Sequence, residues 1–507
     1  MEAENAALRA ANRELTARLY ERKSEKGHGG TEAAAPTPTV QPRGQQPGSR
    51  GHGRRDYSHL PIEEEFHELP ETERVCPRCG LPLEALPGTE DSEVIEVAVR
   101  AYRRVIRRAC YRRSCSCTGV PELLTAPSPP KLIPKGHYGV SVWVSVLLDK
   151  YQFLRPLHRG LEDWKSQGLD LAVGTVTGGL KKLLDLLTPI QEALVAKNRQ
   201  ANRWHADETR WRVFTETVGK TSHRWYMWVF RSPETVVYQL DPSRSARVPK
   251  THYEGVEEGI LNVDRYASYK ALARQGKIVL AFCWAHVRRD FIKVRTGWKP
   301  HEAWATAWLE RIGQWYHLNR QRLRVRDTPA EFAEADRTLR EAIQAMATCR
   351  EAELSALPNT PAATPQRKVL ESLRRHWAGL TVFVDHPEVP MDNNEAERLE
   401  RTPAVARKNF YGSAALWSGQ LAAVMFSIIQ TLALTGLNPR LWLTLYLDAC
   451  AANHGQAPSD FQRFLPWNLS PEQRRELALG DRQGVIYPSR CRLPTLSSAV
   501  RGELVEP

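Results

Sequence analysis

At 507 residues the chain is too long for one ordinary core, so two to four domains are expected. A net charge of +13 and a pI near 9.3 favour a polyanionic partner, nucleic acid before an anionic membrane surface. The longest apolar run, residues 421–437, contains Ser427, Gln430 and two threonines and is too short to span, so a buried helix, a soluble protein and no membrane partner are expected. Of nine cysteines, five fall between Cys76 and Cys117. With no signal peptide at the N-terminus, that cluster reads as metal ligands in a reducing cytoplasm, not as a disulfide framework.

Residues 1–26 form a short helix with a faint heptad, Leu8 and Leu15 at d and Asn5, Asn12 and Leu19 at a, so a coiled coil and a plain solvated helix both fit. Residues 27–56 are rich in Gly, Pro, Ser and Gln and read as a disordered linker. Residues 57–130 make a cysteine module. Residues 131–200 turn helical, and GLDLAVGTVTGGLKKLLDLL suggests a turn and second helix compatible with helix-turn-helix. From residue 201 the period shifts to strands: WHADETRWRVFTE, HRWYMWVFRS and TVVYQLD in series, then GILNVD and KIVLAFCWA alternating with helical patches. That order predicts an α/β sheet of mixed strand direction across residues 201–295 and 387–420. Residues 296–386 are helical and charged and read as an insertion. Residues 421–507 are a C-terminal helical region and tail.

In the cysteine module, Cys76-Pro-Arg-Cys79-Gly80 is a CxxC knuckle, followed by Cys115-Ser-Cys117. Four thiolates close a tetrahedral structural zinc site, with Cys110 as a substitute ligand for either member of the CxC pair. Between the pairs lie Arg103, Arg104, Arg107, Arg108, Arg112 and Arg113 with no acid among them. Alternation over part of this run puts guanidinia on one face of a strand pair, suited to DNA phosphates, although a solvated basic face has the same composition.

Three acids carry the chemistry. Asp207 lies in the first strand and Asp264 ends ILNVD, although a lone acid at a strand end is often only a turn residue. The stretch MDNNEAERLERTPAVARKNFYGS supplies the third. There, Asp392 and Glu395 fit a capping box, Glu400 points elsewhere, and Glu397 projects from a rigid helix with Arg401 one turn on. Pro403 stops or kinks that helix, bringing Arg407 and Lys408 round to the same site. Carboxylate oxygens suit magnesium, and the Arg and Lys heads suit phosphate. In CWAHVRRDF, Cys283 and His286 make half a metal site with no second pair nearby, so a packed strand end and a helix presenting Arg288 and Arg289 to DNA is the reading preferred. His205 is read as structural.

Strand, strand, then helix is the order of acids in the RNase H-like fold. The segments LYERKSEK, CPRCG with CSC, KLIPKGHYG, WHADETRW, VDRYASYK, CWAHVRRDF, DNNEAERLERTPAVARKNFYGS and LNPRLWLTLYLDAC together resemble the DDE transposases of the insertion-sequence-sixty-six family over nearly the whole chain. The resemblance implies an RNase H-like catalytic domain with a helical insertion, preceded by a zinc-binding module and a helical DNA-binding region. It places the acidic triad on Asp207, Asp264 and Glu397, holding two Mg²⁺ or Mn²⁺ ions. It implies 3′-end cleavage and strand transfer of a bacterial insertion sequence, with terminal inverted repeats and target DNA as substrates. A homodimer or larger assembly on DNA and small companion proteins of the element are implied as partners. The CxC pair and the short Ala/Asn-rich first helix depart from the family pattern. A zinc and helix-turn-helix regulator without catalysis, or a nuclease without strand transfer, would share most of these features.

Overall fold

In the computed structural model, residues 78, 81, 101–112, 114, 123–215, 223–273 and 278–478 are described. The residue 1–26 helix, the linker, most of the cysteine module and the tail beyond 478 lie outside them. Every element below belongs to the unit spanning Arg100–Leu479.

The described part opens with a short antiparallel pair, β1 (Cys110–Arg112) and β2 (Leu123–Thr125), with Cys110 opposite Thr125. Three helices follow: α1 (Val140–Tyr151), α2 (Leu157–Ser166) and α3 (Val173–Arg199). Leucines at three- and four-residue spacing on α3 (Leu180, Leu183, Leu187, Leu194) bury one face. At Gly179 the Trp143 ring of α1 lies so close that a Cβ would sit 1.9 Å from it.

The sheet is built from β3 (Arg203–Arg212), β4 (Arg224–Arg231), β5 (Val236–Asp241), β6 (Gly259–Val263) and β7 (Ile278–Phe282). Its order is β5-β4-β3-β6-β7. β4 is antiparallel to both neighbours, while β6 and β7 run parallel to β3. This is the mixed sheet expected from three strands in series followed by two separated by helices. Helices α4 (Arg247–His252) and α5 (Ala267–Ala273) fall between the later strands, and α6 (Trp284–Gly297) leaves the end of β7. Trp284 therefore starts a helix and does not extend the strand.

Next comes the all-helical stretch: α7 (Glu302–Arg324), α8 (Pro329–Ala356), α9 (Thr364–Arg375), α10 (Trp377–Leu380) and α11 (Val382–Asp385). Its joint is tied by Arg322, which is fully buried. That guanidinium donates to Asp336 at 2.6 Å and to the carbonyls of Val384 and Phe383 at 2.9 and 2.7 Å. A buried cation is tolerated only with such compensation.

The chain returns to the sheet with α12 (Asn394–Leu399) and α13 (Arg401–Phe410), then α14 (Leu416–Leu434), α15 (Pro439–Ala452) and α16 (Pro471–Glu476). By length and composition α14 could cross a membrane, but it is largely buried and packs against β5 and α3. Its polar residues explain why it is not uniformly apolar. Ser427 Oγ accepts the Tyr238 N–H at 2.7 Å, and Thr431 Oγ1 accepts the Val236 N–H at 2.9 Å and donates back to the Val236 carbonyl at 3.1 Å. From α3, Gln191 donates to the Tyr238 carbonyl at 3.0 Å. Side chains thus satisfy the open backbone groups of edge strand β5.

Candidate active site

Side-chain alternation on β3 decides which acid faces which layer. His205, Asp207 and Trp211 share one face: His205 meets Asn393 and Trp211 meets Ser413, both from the chain after the helical insertion. Asp207 sits mid-strand opposite Val229. On the other face, Glu208 is buried against α5 and the loop after β5. It accepts from Tyr269 Oη at 2.6 Å and Arg244 Nε at 2.7 Å. Asp264 follows the last residue of β6, and its Oδ1 accepts the Tyr266 N–H at 2.9 Å, shaping the turn into α5.

The third acid arrives from far along the chain, and the loop carrying it is fastened to three strands. Asn262 of β6 donates to the Pro390 carbonyl at 3.0 Å. At the end of β7 the Trp284 N–H bonds the Met391 carbonyl at 2.9 Å, and Cys283 Sγ accepts the Asn393 N–H at 3.2 Å. The buried Asn393 side chain donates to the Ala206 carbonyl of β3 at 2.8 Å and pairs through Oδ1 with His205 Nδ1 at 3.0 Å. These anchors fix the start of α12 beside β3 and deliver Glu397 to the ends of the parallel strands. Glu397 meets Arg289 Nη2 at 3.1 Å and lies 3.6 Å from His286 Nδ1.

The electrostatics report how closely the acids gather. Burial, then the like charge of Glu208, and then the charges of Asp264 and Glu397 push Asp207 up to about 8, against a single opposing backbone N–H from Glu208. Burial also raises Glu208, although Tyr269 and Arg244 hold it back. Glu400, read from sequence as pointing elsewhere, is buried beside this cluster. Burial, followed by Asp207 and Glu208, holds it well above the ordinary carboxylate range. Neither of its carboxyl oxygens has a hydrogen-bond partner among the described residues. Such a site has surplus negative charge and hard oxygen donors, the donor set that suits a divalent cation such as Mg²⁺.

The other sequence expectations divide. The capping box does not form: Asp392 Oδ1 accepts the Asn394 N–H at 3.1 Å, but Glu395 reaches across to Arg231 on β4 at 2.6 Å. The partly buried Arg231 guanidinium holds that carboxylate in place of the helix end. Pro403 does not stop the helix either. The break falls at Glu400, and Pro403 occupies the first turn of α13, where its missing N–H costs nothing. Arg401 and Lys408 are exposed, whereas Arg407 bonds the Arg210 carbonyl and lies 3.5 Å from Thr209 Oγ1. Arg288 and Arg289 are partly buried on α6, with Arg289 turned to Glu397. Arg103, Arg104, Arg107, Arg108 and Arg112 are all exposed, but only Arg112 lies on a strand. Cys76, Cys79, Cys115, Cys117 and Arg113 lie outside the described residues. Sequence reasoning missed that Cys283 and His286 adjoin Glu397. The Cys283 partner Asn393 is 110 residues away along the chain, so local spacing carries no signal of it.

Residues 135–421 match the family described as Transposase IS66 family, which is more than half of the chain. Two similar proteins come from Sinorhizobium fredii (strain NBRC 101917 / NGR234). The uncharacterized protein y4jD is 29% identical over 448 residues, covering 85% of this chain and 84% of its own length. The uncharacterized protein y4qI is 26% identical over 435 residues, covering 82% and 77%. No solved structure matches. With its matched segment spanning the sheet, the helical insertion and the returning acid-bearing helix, the chain belongs to the IS66 transposase family.

Proposed function

We propose that this chain is the catalytic transposase of an insertion sequence, cutting the element's 3′ ends and joining them to target DNA. The observation that carries the reading is that Asn393 and Asn262 tie the entry to the Glu397 helix to β3, which holds Asp207, and to β6, which Asp264 follows. These acids come from a central strand, its parallel neighbour and a helix after the insertion, the order of an RNase H-like site. Membership in a transposase family supports the same conclusion.

The residues present fit a pair of divalent ions. Asp207, Asp264 and Glu397 would hold them, and two bound Mg²⁺ or Mn²⁺ would supply activation of the attacking oxygen and stabilisation of the leaving one. Asn393, Asn262 and the β7 end keep the Glu397 helix fixed, so the carboxylates are positioned before DNA arrives. Water then cleaves the element end to free a 3′-hydroxyl, and that hydroxyl attacks a target phosphodiester with release of the target 3′-oxygen. No bond to a protein side chain forms in either step. Arg401 and Lys408, exposed on the helix next to the site, neutralise phosphate charge.

Recognition of the inverted repeats is assigned to the exposed run containing Arg103, Arg104, Arg107, Arg108 and Arg112, with exposed Tyr102 and Tyr111 among them, and to the exposed first turns of α3. A structural zinc on Cys76, Cys79, Cys115 and Cys117 would stiffen that module, and two protomers would hold the two element ends. The test is to incubate the protein with inverted-repeat DNA, Mg²⁺ and a target plasmid. Joined products support transposition, cleavage without joining replaces it with a nuclease, and binding alone replaces it with a regulator.

A further inference from the structure

Beside the acidic triad lies a second donor set of different chemistry. Ligand atoms of Cys283, His286 and Glu397 all lie within 4.8 Å of one another. Tetrahedral zinc with bonds of about 2.0–2.3 Å needs its ligand atoms about 3.5 Å apart, so small side-chain rotations close the site. His286 Nδ1 already lies 3.6 Å from the Glu397 carboxylate and is buried without a hydrogen-bond partner among the described residues. The sulfur is prepared as well. It accepts the Asn393 N–H at 3.2 Å, which fixes its direction at the start of α6. Burial outweighs that donor and pushes the thiol up to about 11, so a metal must displace its proton, while the N–H keeps the sulfur oriented. Cys283 itself is wholly buried, whereas His286 and Glu397 are each about one quarter exposed, so an ion would enter from their side.

We propose that Cys283, His286 and Glu397 form a binding site for Zn²⁺ or a similar thiophilic divalent ion, and that occupation of this site competes with Mg²⁺ for Glu397. Thiolate, imidazole and carboxylate together select zinc over magnesium, which takes oxygen ligands. Binding exchanges the Cys283 S–H bond for an S–Zn bond and releases one proton to solvent. Three protein ligands leave a fourth position for water. Glu397 bound to this ion is held against α6, where it already meets Arg289 and His286, and no longer completes the set with Asp207 and Asp264, so Zn²⁺ inhibits Mg²⁺-dependent DNA cleavage. The inhibition rests on the role proposed for Glu397, while the binding does not.

The test uses the full chain, because the cysteine module would take up zinc too. After equilibrium dialysis against Zn²⁺, bound metal is counted for wild type, Cys283→Ser and His286→Gln. The expected result is one more zinc per wild-type chain than in either variant; equal counts overturn the site. Zn²⁺ is then titrated into Mg²⁺-dependent cleavage of inverted-repeat DNA, each protein referred to its own zinc-free rate. The inhibition midpoint should rise more than about 100-fold in Cys283→Ser, beyond the cost of an outer-shell change. An unchanged midpoint overturns the competition. If wild type cleaves nothing in Mg²⁺, the catalytic reading fails, and the zinc count still decides the site. Should Cys283→Ser not fold, His286→Gln alters a partly exposed side chain and carries the same comparison.

Discussion

Replacing Asp207 with Asn should remove the cost of ionising a buried carboxyl beside other acids, a cost that grows with pH. The Asp207 carboxyl stands at about 8, against an ordinary 3.8. Its folded-state pKa lies above the unfolded one, so between these values the folded protein keeps a proton that the unfolded chain has lost. Stability of the metal-free protein therefore falls as pH rises from about 4 to about 8. Roughly four units at about 1.36 kcal/mol each give an upper bound of roughly 5–6 kcal/mol. Asp207 is partly exposed, and water screening brings the expected effect to about 2–3 kcal/mol. Urea denaturation of wild type and Asp207→Asn, without added divalent ions, reads it directly. The stability difference should grow in favour of the variant by about three quarters of that amount between pH 5 and pH 8.5. Mg²⁺ at pH 8.5 should restore more stability to wild type than to Asp207→Asn. Wild-type and variant curves that run parallel across this range would refute the reasoning, since neither burial nor the neighbouring acids would then raise the Asp207 carboxyl.

Two further outcomes follow from other parts of the molecule. Ser427→Ala and Thr431→Val each strip a partner from a buried N–H of β5. Each should cost about 1–3 kcal/mol in urea denaturation, and losses below about 0.5 kcal/mol would mean that water serves the strand edge equally well. Replacing Arg103, Arg104, Arg107 and Arg108 together by Ala should flatten the dependence of log Kd on log salt for inverted-repeat DNA by about 0.9 per lost phosphate contact. An unchanged slope would move the DNA-binding surface elsewhere.

Where the period of the sequence matched the local element, the fold was legible. Four of the five strands lie within the runs read as strands and β3 starts one residue ahead of its run, because stretches such as WYMWVF and IVLAF are short, rich in β-branched or aromatic residues and bounded by turn residues. Asp207 and Asp264 could be singled out because each lies on or directly after such a strand, and Glu397 because it sits on a short helix after an insertion. What was not legible depends on partners distant in sequence. Glu395 looked like a capping residue until β4 brought Arg231 to it. Glu400 looked peripheral because no local pattern shows that the helix breaks there and turns its carboxyl inward. Cys283 and His286 looked like half a site because the third ligand lies beyond five intervening helices.

The most direct measurement is the nicking rate at a labelled element end, with DNA binding followed in the same samples, for wild type and Asp264→Asn. Asp264 is the acid at the end of β6, and its amide replacement keeps the shape while removing the charge that a divalent ion needs. Wild type should nick in Mg²⁺ or Mn²⁺ and not without them, while Asp264→Asn binds the same DNA with the same affinity and nicks at least about 100-fold more slowly. Asp264→Asn nicking at the wild-type rate would contradict the assignment of this carboxylate cluster as the active site.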